Sequence, residues 1–183
     1  WLERNVPMDK AILRKWLKAG VVFQGQFQAT DAGTPQGGII SPTLANVALN
    51  GLERDLMKFL RTKLGTVQAN RLKVNVVRYA DDFVITGNTP EVLEHEVKPW
   101  VEQFLAVRGL TLSPEKTRIV NIADGFDFLG WNFRKYSGTL LIKPSKKNAL
   151  AFYRRAKEVI RTHHGKKPED LIRTLNPMLR GWA

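Results

Sequence analysis

Two adjacent carboxylates, Asp81 and Asp82, are the side chains of this sequence best suited to chemistry. They lie between Asn75-Val76-Val77-Arg78-Tyr79-Ala80 and Phe83-Val84-Ile85-Thr86-Gly87. Both flanks are short and rich in Val, Ile, Tyr and Phe, as paired strands are, so the Asp pair falls at the turn joining them. Two negative charges at a hairpin tip repel at close range and need water, a base or a cation to settle them. An Asx-type turn, in which the side chain bonds its own backbone, is the plainer reading of an Asp pair.

A second stretch offers backbone rather than side-chain chemistry. In Gly33-Thr34-Pro35-Gln36-Gly37-Gly38-Ile39-Ile40-Ser41-Pro42, the paired glycines let the main chain approach a ligand or adopt positive φ. Ser41 then Pro42 is a cap followed by a first-turn proline. A Gly-rich loop feeding a helix start turns N–H groups toward an anion, although a Gly-Gly pair alone is as often only a turn. Asp31, in the polar stretch from Gln24 to Thr34, is assigned no catalytic role. His163-His164 has no further His or Cys nearby and is read as a solvated loop.

The charge is uneven. Of 29 Lys and Arg against 17 Asp and Glu, residues 1–133 hold 16 and 14, a net of +2, whereas residues 134–183 hold 13 and 3, a net of +10. A segment this basic suits a polyanion, usually nucleic acid, or serves as a solubilising face. It lacks the clean amphipathic pattern of a membrane-surface helix. No run reaches the roughly 18 apolar residues of a membrane span, and no secretion signal is recognisable. The absence of cysteine excludes disulfides and thiolate metal sites. At 183 residues there is material for one good domain with an appendage.

The elements that must position these groups follow from periodicity. Residues 9–19 are expected to be helical, capped by Asp9, striped by Ile12, Leu13, Trp16 and Leu17, and ended by Gly20. Val21-Val22-Phe23 is a short strand and Gln24 to Thr34 a loop. Leucines and other apolar residues at three- and four-residue steps from Thr43 to Leu64 predict one long amphipathic helix. Gly65 to Lys73 is a polar connection. After the acidic hairpin, Thr89-Pro90-Glu91 opens a helix buried through Val92, Val97, Trp100, Val101, Phe104 and Leu105 and closed by Gly109. Leu110 to Val120 runs through a turn into a strand. A second hairpin has arms Trp131–Tyr136 and Thr139–Ile142 about Ser137-Gly138. Beyond Pro144, Ser145 to Thr162 is helical with basic residues all round it, and Glu169 to Leu179 starts a further helix limited by Pro177.

Three motifs together resemble the reverse transcriptases of group II intron maturases. They are Thr34-Pro35-Gln36-Gly37-Gly38 with Ser41-Pro42, Tyr79-Ala80-Asp81-Asp82, and Phe128-Leu129-Gly130-Trp131, with Leu112-Ser113-Pro114-Glu115-Lys116-Thr117 fitting between the last two. The resemblance covers roughly residues 1–143, and the basic segment is similar to the start of the thumb or maturase domain. It implies an α+β fold: a ferredoxin-like polymerase palm, an antiparallel sheet with helices on one face, over 1–143, and a helical start of the thumb over 144–183.

The implied activity is RNA-directed DNA polymerisation. Asp81 and Asp82 would be catalytic metal ligands for two Mg2+ ions, with Mn2+ as a substitute. Asp81 would bind directly and Asp82 more weakly. Pro35, Gln36, Gly37, Gly38, Tyr79, Ala80 and Lys116 would line the nucleotide and template side, and Phe128, Leu129, Gly130 and Trp131 would grip the primer. Lys146, Lys147, Arg154 and Arg155 would meet the nucleic-acid backbone. Core packing is an equal reading for Phe128 and Leu129, a solvated strand-end lysine for Lys116, and plain solvent exposure for Arg78, which faces away from Tyr79.

Partners implied are an RNA template, a DNA primer, deoxynucleoside triphosphates and group II intron RNA, with no membrane, in a bacterial cytoplasm. An intron splicing cofactor with an idle polymerase site is the alternative, and an RNA-binding module alone a third, since palms share the β-α-β-β-α-β plan with small RNA-binding domains. The family's other metal-binding Asp belongs upstream of Asn5-Val6-Pro7-Met8-Asp9-Lys10, and Asp9 sits where a helix cap belongs. The chain, opening on Trp1-Leu2-Glu3, therefore reads as a palm fragment with the beginning of the thumb, inactive by itself.

Overall fold

Asp9 starts the first substantial helix. Its carboxylate accepts from the N–H groups of Ala11 at 2.7 Å and Ile12 at 3.1 Å, satisfying two donors that the first turn leaves open. The computed structural model describes residues 1–23, 26–28 and 40–182, which divide into two compact units, Trp1–Ile119 and Val120–Ala183. In the first, α1 (Leu2–Asn5) precedes α2 (Lys10–Leu17). Arg14 on α2 donates from both Nε and one terminal nitrogen to the Glu3 carboxylate, which holds that carboxyl below its ordinary pKa. Leu13 is fully buried, while Ile12 and Trp16 of the same predicted stripe stay partly open.

Strand β1 (Val21–Phe23) pairs antiparallel with β2 (Gln26–Gln28), where a loop was expected. The predicted long helix is two helices, α3 (Ser41–Leu49) and α4 (Leu52–Leu64). Asn50 is extended and Gly51 has φ of 86°, left-handed backbone that stops one helix and lets the next begin, as the Gly51 carbonyl accepts from Asp55 N–H at 2.8 Å. The expected polar connection after Gly65 is a short helix, α5 (Thr66–Arg71), because Ala69 is drawn into the core.

Strands β3 (Asn75–Tyr79) and β4 (Asp82–Thr86) form the acidic hairpin. Thr89 caps α6 (Pro90–Val92), the helix widens into a π turn over Leu93–Val97, and it continues as α7 (Lys98–Ala106). Leu52, Leu56 and Leu60 recur every four residues on α4 and meet Val97, Val101, Phe104 and Leu105. Onto this core pack Val76, Phe83 and Ile85, one face of the hairpin. Each fully buried leucine contributes about 1.5–3 kcal/mol. The strand expected after Leu110 is not formed: Ser113 to Lys116 make a turn, and among the described residues the chain to Val120 pairs with no strand.

In the second unit β5 (Phe126–Phe128), β6 (Trp131–Tyr136) and β7 (Thr139–Pro144) form a three-stranded antiparallel sheet in that order. Ser137 and Gly138 both take positive φ, 45° and 88°, the backbone a two-residue hairpin favours. Pro144 ends β7, and Ser145 caps α8 (Lys146–Thr162) by accepting from Asn148 N–H at 3.2 Å. Helix α9 (Pro168–Trp182) runs through Pro177 instead of stopping there, and its Trp182 stacks on Phe152 of α8 at 4.4 Å. The His163 ring meets the Val159 carbonyl at 2.7 Å and the Thr174 hydroxyl at 3.3 Å, so it joins α8 to α9 rather than lying free in a loop. The described architecture is thus α+β, small antiparallel sheets with packed helices, followed by a helical segment. Among the described residues the strands form three separate sheets, and no helix is long and apolar enough to cross a membrane.

Candidate functional site

Alternation decides what the acidic hairpin shows to solvent. Tyr79 pairs with Asp82, Val77 with Val84 and Asn75 with Thr86, so these side chains share one face. Val76, Arg78, Phe83 and Ile85 share the other, which packs inward. The outward face is open, with Tyr79 66% and Val77 57% exposed. The connecting turn is Ala80-Asp81, one residue earlier than an Asp-Asp turn would be, because Asp82 already pairs in β4. Asp81 therefore stands at the tip and Asp82 on the outward face beside it, both exposed. The two carboxylates occupy different backbone settings, and among the described residues neither has a hydrogen-bond or ion-pair partner.

Ala80 has φ of 54°, a left-handed conformation that costs a residue with a Cβ about 1–2 kcal/mol. A charge-assisted bond offsets it. One terminal nitrogen of Arg78 donates to the Ala80 carbonyl at 2.8 Å and to the Asn46 side-chain oxygen on α3, also at 2.8 Å. Bonds from a charged donor contribute about 1.5–3 kcal/mol. Arg78 does face away from Tyr79, but it is half-buried and bonded, not a plain solvent-exposed cation. Asn46 carries no weight in a reading based on periodicity. The available signals were a charged residue at an inward position of an apolar strand, and an amide on a helix of otherwise small and apolar residues. Beside β3 lies a cleft of about 560 Å³, lined in part by Gly51, Arg54, Val76, Val77 and Arg78; neither Asp81 nor Asp82 lines it.

The oxygen-only donor set of Asp81 and Asp82 suits magnesium, which is commonly held by one or two carboxylates with waters and substrate phosphates completing its shell. Among the described residues no group of three or more His, Cys, Asp or Glu comes together to hold a metal. The pair fits a divalent ion as part of a shell, not as the whole of it.

The other sequence-based candidates fall on several different elements. Pro35, Gln36, Gly37 and Gly38, and Asp31 before them, lie outside the described residues. Lys116 is exposed on the Ser113–Lys116 turn rather than at a strand end. Leu129 and Gly130 form the two-residue turn between β5 and β6, with φ of 50° and 84°, and Phe128 and Trp131 face each other across it. Phe128 is half-buried, whereas Leu129 is largely open. The Gly130 carbonyl accepts twice, from Ser145 N–H at 2.9 Å and from the Asn148 side-chain amide at 3.2 Å. Ser145, only 3% exposed, and Asn148 thus fasten this turn to the start of α8, a link that sequence reasoning missed. Lys146, Lys147, Arg154 and Arg155 are all exposed on α8. Lys147 and Arg154, seven residues apart, lie within about 20° on one face, and Arg155 stands nearly opposite Lys146.

Comparison with known proteins gives this geometry its context. Residues 149–183 match the model described as "Group II intron, maturase-specific domain". Protein YkfC of Escherichia coli is 34% identical over 143 residues, covering 65% of this chain and 37% of that protein. The group II intron-encoded protein LtrA of Lactococcus lactis subsp. cremoris is 29% identical over 190 residues, covering 75% and 31%. An uncharacterized 91 kDa protein in the cob intron of Schizosaccharomyces pombe is 27% identical, covering 66% and 21%. The chain spans between 21% and 37% of the length of these relatives. Residues 2–133, the stretch that carries the open acidic turn and the core behind it, match the model described as "Reverse transcriptase (RNA-dependent DNA polymerase)", and the chain belongs to that family.

Proposed function

We propose that this protein is the palm and the beginning of the thumb of an RNA-directed DNA polymerase of the group II intron maturase kind, extending a DNA primer with deoxynucleoside triphosphates on an RNA template. The observation that carries the reading is the hairpin: its inner face is locked into the core, and its outer face presents Asp81 and Asp82 unpaired among the described residues, in a chain of reverse transcriptase family.

Reverse transcriptases as a family use divalent metal ions. Here Asp81, from the tip, would hold magnesium directly, and Asp82, from the strand, more weakly; two Mg2+ ions, or Mn2+ in their place, are the assignment. When bound, such ions supply charge neutralisation for in-line attack of the primer 3′-hydroxyl on the α-phosphate as pyrophosphate leaves. The chain's own residues do the rest. Tyr79 and Val77 give the primer end an apolar floor, and Ala80 adds no bulk beside it. Gln36 with the Gly37–Gly38 backbone, next to Pro35, faces the nucleotide and template. Lys116 offsets charge developing on the leaving phosphates. Phe128, Leu129, Gly130 and Trp131 hold the primer strand. Lys146, Lys147, Arg154 and Arg155 contact phosphates of the duplex or of intron RNA without reading sequence.

The test compares primer extension with RNA binding when Asp81→Ala is made in the intact polymerase of which this chain is a part. Extension is expected to fall by at least about a hundredfold, since even residues behind a metal's direct ligands cost 10–100-fold when lost, while RNA affinity stays within about twofold. Equal loss of both makes the hairpin structural. The match of residues 149–183 to the maturase-specific domain favours a second reading, a splicing cofactor with an idle polymerase site. It is the correct one if, in the intact polymerase, intron splicing survives Asp81→Ala and the unaltered protein extends no primer.

A further inference from the structure

The geometry points to Arg78 as a positioning residue that fastens the acidic turn to α3, so that Asp81 and Asp82 meet a divalent cation in one fixed arrangement. This rests on the metal-holding role proposed above for the two carboxylates. Arg78 lies on the inward face of β3, with Val76 on its own strand and Phe83 directly across from it. A charged group there is costly unless it is paired and bonded. The nearest acidic residues along the chain are Asp81 and Asp82, three and four positions on, and a guanidinium ordinarily makes its strongest bonds to carboxylates. Arg78 instead spends one nitrogen on two neutral acceptors, the Ala80 carbonyl and the Asn46 side chain, both at 2.8 Å. The carboxylate oxygens stay available for a cation.

The choice of acceptor has a geometric effect. A peptide group is planar, so holding the Ala80 carbonyl holds the Ala80–Asp81 plane and with it the direction in which the Asp81 side chain leaves the main chain. Ala80, left-handed at φ of 54°, would relax without that hold. The other end of the clamp, Asn46, stands on α3, five residues beyond the start of that helix at Ser41. Arg78 is thus a physical link between α3, which follows Gly37 and Gly38 in the sequence, and the turn that carries Asp81.

The experiment is manganese titration of the protein, followed by loss of the free-ion electron paramagnetic resonance signal, with amide hydrogen exchange read on the same samples. Binding that disappears in Asp81→Asn defines the site. Arg78→Ala is expected to weaken that binding about tenfold, and Arg78→Lys, which keeps a donor, to recover to within about threefold of the unaltered protein. Exchange at the Asp82 amide, in the strand pair with Tyr79 that closes the turn, is expected to quicken about tenfold in Arg78→Ala, with the Leu56 and Leu60 amides unchanged. Unaltered manganese binding in Arg78→Ala overturns the positioning role. If Asp81→Asn leaves manganese binding intact, the metal-holding reading of the turn fails instead, and the exchange arm alone decides: an Asp82 amide that exchanges no faster in Arg78→Ala than in the unaltered protein overturns the clamp. Should Arg78→Ala not fold, Asn46→Ala removes only the outer anchor of an exposed residue, and about threefold weaker binding is expected; no change overturns the link to α3.

Discussion

The two compact units are held together in different ways. In Trp1–Ile119, α4 and α7 close on each other through leucines that water does not reach, and the acidic hairpin rests its inner face on them. In Val120–Ala183, neither α8 nor α9 has a buried residue, and the buried side chain among the described residues is a serine, Ser145. The charges divide the same way: 16 Lys and Arg against 12 Asp and Glu in residues 1–119, but 13 against 5 in residues 120–183. The first unit is ordered by apolar burial and can carry an unpaired carboxylate pair at its edge. The second is ordered by turns and caps, and it leaves open faces rich in positive charge. Under the proposed function, the first construction suits a platform for chemistry and the second a basic surface for a polyanion.

The sharpest way to break the contrast is to remove one leucine from each unit. Leu56→Ala, at 0% exposure, is expected to cost about 2–5 kcal/mol, read as much faster amide exchange across α4 and α7 with β6 and β7 unaffected. Leu141→Ala, at 47% exposure on β7, should stay within about 0.5 kcal/mol. Equal costs would mean that the second unit has an apolar core after all.

A smaller effect tests whether the second unit depends on its turns. Gly130→Ala places a Cβ against the Asn148 amide on backbone of φ 84°. It should cost about 1–3 kcal/mol, seen as faster exchange at Ser145 and Asn148. The smallest effect concerns charge. Arg154→Ala and Lys147→Ala should each lower the slope of log RNA affinity against log salt by about one, with folding unchanged. An unchanged slope in both would remove α8 from the nucleic-acid surface.

What could be read in the sequence, and what could not, follows the same division between local and long-range causes. The Asp9 cap, the Thr89-Pro90 helix start, the Ser137-Gly138 turn and the helix after Ser145 are set by a few neighbouring residues, and the structure has each of them. The break at Asn50-Gly51 was signalled by a helix-stopping pair, but the leucine period runs straight across it. Helix α5 and the unpaired stretch after Leu110 answer to long-range packing, which a local pattern does not contain. Pro177 sits inside α9 because the helix continues to Trp182, where the ring finds Phe152. At the candidate site, the acidic pair announced itself by composition. The Arg78–Asn46 clamp, spanning 32 positions, and the Asn148–Gly130 bond, spanning 18, left no periodic trace.

The doubly accepting carbonyl of Gly130 carries a mechanical implication. With the main chain of Ser145 and the side chain of Asn148 both hooked to it, the long rod that starts at Lys146 cannot tilt without dragging the bend at Leu129 along. Phosphates pulling on the far end of that rod would be felt at its root as a tug on the loop, much as a handle works a latch.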